Sequence, residues 1–253
     1  DIVRSSSAFG FWCALCSGLL FSFLVTLFRG PLLTGLGADA VTAGATGEYL
    51  FWTVSCGAAP AILNVVMAYL VRSEGSSFHA SIGTMSGCIL NIILDPIFIL
   101  PWGLDMGAAG AGCATFLSNC FACGYFIVLL FLKRKNTYVA ISPKALRFER
   151  AIVLGVCAVG IPASIQNLLN VTGMTVLNNF TSAYGADAVA AMGIAQKVNM
   201  VPMQVALGFS QGIMPLISYN YGSGNSRRMK DVFFFSSRIS LGISATVTLI
   251  YFF

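Results

Sequence analysis

Two long apolar runs lie between Gly160 and Lys230, and the first opens with the sequence Gly160-Ile-Pro-Ala-Ser-Ile-Gln-Asn-Leu-Leu-Asn170. An amide inside a membrane-spanning helix is costly unless it has a hydrogen-bonding partner. The two runs nevertheless carry nine amide side chains: Gln166, Asn167, Asn170, Asn178, Asn179, Gln196, Asn199, Gln204 and Gln211. The pattern predicts that these helices line a polar passage or pocket within a membrane.

The composition of the whole chain is that of a polytopic membrane protein. Hydrophobic residues make up 57% of the 253 residues and charged residues 9%, and the mean hydropathy is +0.83. A soluble domain carries about 25% charged residues. The net charge of +5 comes from Lys and Arg in predicted loops, so it does not indicate nucleic-acid binding. The eight cysteines all lie in apolar runs, and we expect no disulfide scaffold, metal site or cofactor.

Seven apolar runs are long enough to cross a bilayer, which needs about 20 residues per helix. We therefore predict an all-α bundle. The chain begins at Asp1 and stops inside the last run, so we expect it to be a piece of a longer protein. The predicted spans are Ala8–Phe28, Glu48–Val71, Ala80–Leu100, Ala108–Leu132, Ala151–Phe180, Ala188–Tyr219 and Val232–Phe253.

The loops between these runs alternate in charge. Loops 71–79, 133–150 and 220–231 contain Lys or Arg, whereas the stretches 30–47, 101–107 and 183–187 contain neither. Cytoplasmic loops accumulate Lys and Arg, so we expect the three basic loops to be cytoplasmic. The longest and most polar of them, 133–150, is the expected boundary between two bundles, 1–132 and 151–253.

Ordered motifs along nearly the whole chain resemble those of the multidrug and toxic compound extrusion (MATE) transporters, and in particular their bacterial DinF-like branch. The motifs are Leu33 to Gly37 followed by Tyr49-Leu50, then Asn91-Ile-Ile-Leu-Asp95, Gly107-Ala-Ala-Gly-Ala-Gly-Cys-Ala-Thr115, Gly160-Ile-Pro-Ala-Ser-Ile-Gln166, Leu177-Asn-Asn179, Ala190-Ala-Met-Gly-Ile-Ala195 and Gly208-Phe-Ser-Gln-Gly-Ile-Met-Pro-Leu-Ile-Ser-Tyr-Asn-Tyr-Gly222.

The resemblance implies a two-lobed fold of twelve helices, six in each lobe. Residues 1–132 would then hold helices three to six, 133–150 the cytoplasmic connection between lobes, and 151–253 helices seven to nine. It also implies a bacterial inner (plasma) membrane protein that works as a monomer. Its expected activity is secondary-active export of small amphipathic molecules, often organic cations, by alternating access.

Asp95 is the clearest acidic residue inside a predicted span, and Asn91 precedes it by four residues, which places both on one helical face. Related proton-coupled transporters use a fifth-helix Asn and Asp, so the resemblance makes this pair the candidate for proton coupling. The alternative is a helix-end carboxylate that faces outer water. Sodium-coupled relatives carry Glu where this chain has Asn170, so we expect H+ rather than Na+ as the coupling ion.

The candidates for lining a substrate cleft recur along the two predicted helices between Gly160 and Lys230. The alternative is hydrogen bonding between helices for the amides and ordinary contact for the methionines. These candidates are Gln166, Asn170, Met174, Asn178, Gln196, Asn199, Met203 and Gln211. Lys197 is the one basic residue deep in a run, and three roles stay open for it: pairing with a carboxylate, binding an anionic group, or snorkelling to the interface.

Two other classes of function compete with drug export. A flippase or exporter of lipid-linked saccharides from the same superfamily needs a cationic cavity for the diphosphate, and only Lys197 would supply a charge. A membrane-embedded enzyme is disfavoured because the sequence contains no His/Asp cluster, HExxH motif or serine nucleophile motif. A seven-helix receptor is disfavoured because the chain ends inside an apolar run.

Overall fold

The computed structural model describes residues 2–35, 43–133 and 137–252. Within these ranges the chain forms nine α-helices and no strand. It divides into two compact units, 1–152 and 153–253, which are described separately below. The helices are α1 (Ile2–Leu27), α2 (Arg29–Gly35), α3 (Ala43–Leu50), α4 (Ala58–Ser73), α5 (Ser77–Ile99), α6 (Gly107–Leu132), α7 (Arg150–Ser182), α8 (Ala186–Gly222) and α9 (Ser226–Phe252).

The predicted membrane spans correspond to these helices. Six helices are long and apolar enough to cross a bilayer, and a bent pair of helices makes a seventh. The all-α, multi-pass prediction is confirmed. The ends differ most at α1 and α9, which begin at Ile2 and Ser226, each six residues before the predicted start, because helix geometry continues through polar residues beyond the apolar core. The stretch 30–47 between the first two predicted spans is helical at 30–35 in α2 and at 43–47 in α3, and residues 36–42 lie outside the described residues.

The second predicted span, 48–71, is the bent pair. After α3 the chain forms a π-helical turn, Phe51–Cys56, and then bends by 49° into α4. Pro60 explains the position of the bend, because it has no N–H to donate to the last carbonyl of that turn and its ring would collide with it in a straight helix. The hydroxyl of Ser22 on α1 donates to the Val54 carbonyl at 2.8 Å, so α1 satisfies a carbonyl within the irregular turn.

The core of unit 1 lies where α1, α4, α5 and α6 meet. Its largest fully buried side chains are Phe126, Met67 and Val71. Small residues let the helices approach closely: a Cβ added at Gly83 of α5 would lie 2.4 Å from the Phe126 ring, and one at Gly18 of α1 would lie 2.9 Å from the α4 backbone. Close contact of this kind is the main source of helix association in lipid.

The predicted connection 133–150 packs against unit 1 in its described part. Its described part, residues 137–150, belongs to unit 1, and the division between units falls after Ile152. Residues 137–141, which we call the strap, run in non-helical conformation beside α1 and end in a short 3₁₀ turn, Pro143–Ala145. Residues 134–136 lie outside the described residues. The assignment of the two units to parts of two lobes stays a prediction.

Unit 2 consists of α7, α8 and α9. Helix α8 runs along α9, and the hydroxyl of Tyr251 donates to the Val198 carbonyl at 2.8 Å. The turn between these helices is closed by Asn225, whose side-chain oxygen accepts from the Arg228 amide at 3.1 Å and so caps α9. Gly224 precedes it with φ of 72°, a conformation that suits glycine.

Candidate ion-coupling and substrate-binding residues

The Asn91 and Asp95 side chains meet on α5. The Asn91 amide nitrogen donates to Asp95 Oδ1 at 3.1 Å, and both residues are half-buried. The four-residue spacing puts them one above the other on the helix, as the sequence predicts. The arrangement gives a carboxylate inside an apolar span one neutral hydrogen-bond donor, which reduces the cost of holding it there. Proton coupling at this pair stays a prediction.

The end of α5 that carries Asp95 is fixed by the turn that follows it. Pro96 cannot donate a backbone hydrogen bond, so the helix lacks one link directly after Asp95. The amide of Leu104 donates to the Ile97 carbonyl at 2.8 Å, and that of Met106 donates to the Phe98 carbonyl at 2.9 Å. This folded-back turn ties the last carbonyls of the helix and holds the carboxylate one turn from the end of its span.

A second polar pair, which the sequence analysis missed, joins α4 to α6. The Asn64 amide nitrogen donates to Asn119 Oδ1 at 3.1 Å, and Asn119 donates in turn to the Thr115 carbonyl at 3.0 Å. The Asn64 side-chain oxygen and the Ser118 hydroxyl are buried and have no hydrogen-bond partner within the described part of the chain. The signal was present, since both asparagines interrupt apolar runs just as the amides of the second half do.

The predicted stripe on α7 is exposed along its whole length. Gln166, Asn170, Met174 and Asn178 all lie in the stretch 158–180, in which every residue is exposed. Pro162 does not interrupt the α-helix. The four side chains share one face, and no other described element covers it. Their role in a substrate cleft stays a prediction.

The predicted residues on α8 differ in burial. Gln196 and Gln211 are half-buried, whereas Lys197, Asn199 and Met203 are exposed. The Gln196 amide nitrogen is buried and has no acceptor among the described residues. A buried donor left unpaired costs about 1–3 kcal/mol. Gln196 is therefore the α8 candidate with the clearest need of a polar partner, and its role in a cleft also stays a prediction.

Of the predicted site residues, the structure brings Asn91 and Asp95 within hydrogen-bonding distance of each other. No ion pair to Lys197 occurs in the described part of the chain. Among the same residues, no group of three or more His, Cys, Asp and Glu side chains is placed to hold a metal ion.

Known proteins match this chain along nearly its full length. The sequence model of the MatE family matches residues 162–253. Over 257 aligned residues the chain is 32% identical to Multidrug export protein MepA from Staphylococcus haemolyticus (strain JCSC1435), and the match covers 99% of this chain and 55% of that protein.

Solved structures also align over nearly the whole chain. A multidrug resistance MATE family transporter of the MOP superfamily, in an outward-facing conformation, aligns with a TM-score of 0.88 at 26% identity over 98% of this chain and 54% of that one. A MOP superfamily transporter from Pyrococcus furiosus Vc1 (DSM3638) aligns with a TM-score of 0.85 at 26% identity, over 97% of this chain and 58% of that one. Its binding pocket is described as having a reversed polarity that suggests a different function.

The chain thus spans about half the length of the relatives that it matches. The matches do not distinguish the DinF-like branch, which stays a prediction. The family model, the MepA relatives and the solved structures agree with one another and with the ordered motifs of the sequence, and the chain belongs to the multidrug and toxic compound extrusion (MATE) family.

Proposed function

We propose that the protein is a secondary-active exporter of small amphipathic molecules, organic cations among them, and that inward flow of protons drives it. The observation that carries the proton-coupling part is the Asn91–Asp95 hydrogen bond inside an apolar span. Export itself is supported by the relatives, which are multidrug export proteins and not enzymes. A transporter of this kind needs no cofactor besides its coupling ion.

An Asn–Asp pair suits a carboxyl group that gains and loses a proton. The amide of Asn91 donates to the ionised carboxylate, and its own oxygen accepts a hydrogen bond once Asp95 is protonated. Both charge states therefore keep a partner on the same helix, which limits the cost of either state in the membrane. A proton that binds here from the outer side would favour one arrangement of the transporter, and its release would favour the other.

The orientation that we propose places loops 71–79, 133–150 and 220–231 in the cytoplasm, with the protein in a bacterial plasma membrane. It is supported by the contact between Glu74 and Thr137, whose side chains hydrogen-bond at 2.7 Å. This contact requires that the first two loops lie at the same face of unit 1. The excess of Lys and Arg in these loops supports the cytoplasmic side.

The decisive variant is Asp95→Asn in the full-length protein, with Asp105→Asn as the matched control. Asp105 lies in the turn directly after the same helix, is exposed, and has φ of 50°, which Asn tolerates well. Everted vesicles with an acidic interior would be given a fluorescent organic cation in the outer medium, and its uptake would be followed. We expect Asp95→Asn to lower the gradient-dependent transport rate at least tenfold and Asp105→Asn to change it less than twofold. Full pH-driven transport by Asp95→Asn would refute proton coupling at this residue.

Export of lipid-linked saccharides is the second candidate, and Lys197 is the observation that favours it. This exposed cation lies among the candidate cleft residues of α8 and would attract a diphosphate. A related structure with a binding pocket of reversed polarity is described as suggesting a different function. Transport of a lipid-linked saccharide by the same vesicles, without transport of the fluorescent cation, would favour this candidate.

A further inference from the structure

A cavity of about 750 Å³ opens at the end of unit 1 where α1 begins and α6 ends. Its walls come from the first turns of α1, the last turns of α6, and the chain that leaves α6, including the strap and the 3₁₀ turn. All of its lining belongs to unit 1. The residues on which the inference rests are Arg4, Phe11, Ile127, Leu130, Phe131 and Arg147.

The strap wall of the cavity is held in place by hydrogen bonds that reach across the sequence. The Glu74 carboxylate accepts from the strap, the Ala140 amide donates to Ser7 Oγ at 3.0 Å, and the Trp12 indole donates to the Ile141 carbonyl at 3.2 Å. Because these bonds tie the strap to α1 and to the turn before α5, the cavity is a built feature of unit 1.

One part of the cavity is apolar and open to the surroundings of the helix bundle. Phe11 and Leu130 are buried at its back, while Ile127 and Phe131 are 38% and 68% exposed on α6. Exposed apolar side chains of this kind suit contact with acyl chains, which are as apolar as they are. A hydrocarbon chain laid along this part of α6 would therefore lie partly in the bilayer and partly in the cavity.

The other part of the cavity is cationic. Arg4 and Arg147 line it, and no carboxylate lines it among the described residues. Glu149 is 3.5 Å from Arg147, but both side chains are more than half exposed, so water screens this pair. The Glu74 carboxylate is already engaged by the strap. Two guanidinium groups beside an apolar wall match a phosphate joined to a hydrocarbon chain.

We propose that this cavity binds an anionic phospholipid of the adjacent leaflet, with its phosphate between Arg4 and Arg147 and one acyl chain along Ile127 and Phe131. The cavity lies at the face that carries the basic loops, where anionic headgroups attract Lys and Arg. A bound lipid would bridge α1, α6 and the chain that leaves unit 1. This inference does not depend on which molecule the protein exports.

The test is binding of fluorescent phosphatidylglycerol to the purified full-length protein in detergent, with fluorescent phosphatidylcholine as the zwitterionic comparison. We expect phosphatidylglycerol to bind at least tenfold more tightly. The double variant Arg4→Gln/Arg147→Gln should weaken its binding about tenfold to thirtyfold, as expected for the loss of two cations near an anionic headgroup. The matched control is Arg150→Gln/Arg227→Gln, which removes the same charge from two exposed residues outside the cavity; it should change the affinity less than threefold.

Several results would overturn the proposal. Equal binding of the two lipids, or unchanged binding by Arg4→Gln/Arg147→Gln, would remove the anionic site. An equal loss in the control variant would mean that net charge alone attracts the lipid. Displacement of phosphatidylglycerol by inorganic phosphate at about 10 mM, an ordinary buffer concentration, would indicate a site for a free anion. The variant Arg4→Lys/Arg147→Lys changes the same two positions but keeps both charges, and it should retain most of the binding. Retained binding in this variant shows that the loss in Arg4→Gln/Arg147→Gln comes from the missing charges and not from misfolding.

Discussion

Glu74 is predicted to be the residue that holds the chain leaving α6 against unit 1. It lies in the turn between α4 and α5, and its carboxylate accepts from the Thr137 hydroxyl at 2.7 Å, from the Val139 amide at 2.8 Å and from the Tyr138 amide. No other side chain among the described residues bonds all three donors. Replacing Glu74 with Ala should therefore release the strap while leaving the membrane-spanning helices in place.

The size of the effect follows from the burial of the three donors. Tyr138 is exposed, so water replaces its lost bond at little cost, whereas Thr137 and Val139 are only 9% and 6% exposed. An unmet donor in a buried position costs about 1–3 kcal/mol. The Val139 amide keeps a second acceptor, Thr137 Oγ1 at 3.2 Å, so the donor left unmet is the Thr137 hydroxyl. We therefore expect Glu74→Ala to lower the free energy of strap opening by about 1–3 kcal/mol. Glu74→Gln keeps one oxygen acceptor but loses the charge and the second carboxylate oxygen, so about half of this effect is expected.

Hydrogen exchange of the backbone amides measures this opening directly. The full-length protein in detergent would be labelled and the peptide that covers residues 137–142 followed by mass spectrometry. A loss of about 1–3 kcal/mol corresponds to exchange roughly 5 to 150 times faster at Val139, since about 1.4 kcal/mol is a factor of ten. Glu149→Ala removes an exposed carboxylate from the same connection and should leave this peptide unchanged. Exchange within twofold of wild type in Glu74→Ala would refute the role of Glu74.

Two further predictions concern the contacts that hold unit 1 together. Gly83→Ala should lower the free energy of unfolding by about 1–3 kcal/mol, seen as a lower thermal midpoint of the purified protein, because its Cβ would lie 2.4 Å from the buried Phe126 ring. The control Gly124→Ala, whose Cβ would meet nothing within 4 Å, should lower the midpoint little or raise it. Single Leu variants of Asn64 and Asn119 should be coupled by about 0.6–1.7 kcal/mol in a double-mutant cycle of detergent unfolding, since each variant removes one partner of the hydrogen bond between the two side chains. Strictly additive effects of the two Leu changes would contradict that hydrogen bond.

The positions of the helices were largely predictable from the sequence. A bilayer leaves every backbone group to be satisfied inside its own helix, so an apolar run of membrane length has little choice of structure. A proline tends to distort a helix, and Pro60 lies just after the break at which the second span bends by 49°. The exact form, a π-helical turn supported by Ser22 of α1, depends on a neighbour 32 positions away in the sequence.

The candidate site was predictable only where its partners are close in sequence. Asn91 and Asp95 are four residues apart, so helix geometry alone predicts that they meet. Asn64 and Asn119 are 55 residues apart, and Glu74 and Val139 are 65 apart. The periodicity of a helix says which residues share a face, but it does not say which other helix or segment that face will meet.

Composition, run length and four-residue spacing are properties of the chain alone, and they suffice to predict a multi-pass helical membrane protein with a local Asn–Asp pair inside a span. The asparagine pair that joins α4 to α6 and the bonds by which Glu74 fastens the strap beside α1 follow from the packing of the folded chain. These contacts depend on how close the helices approach, and the small residues that permit such an approach, Gly18 and Gly83, act only through the partners that they meet.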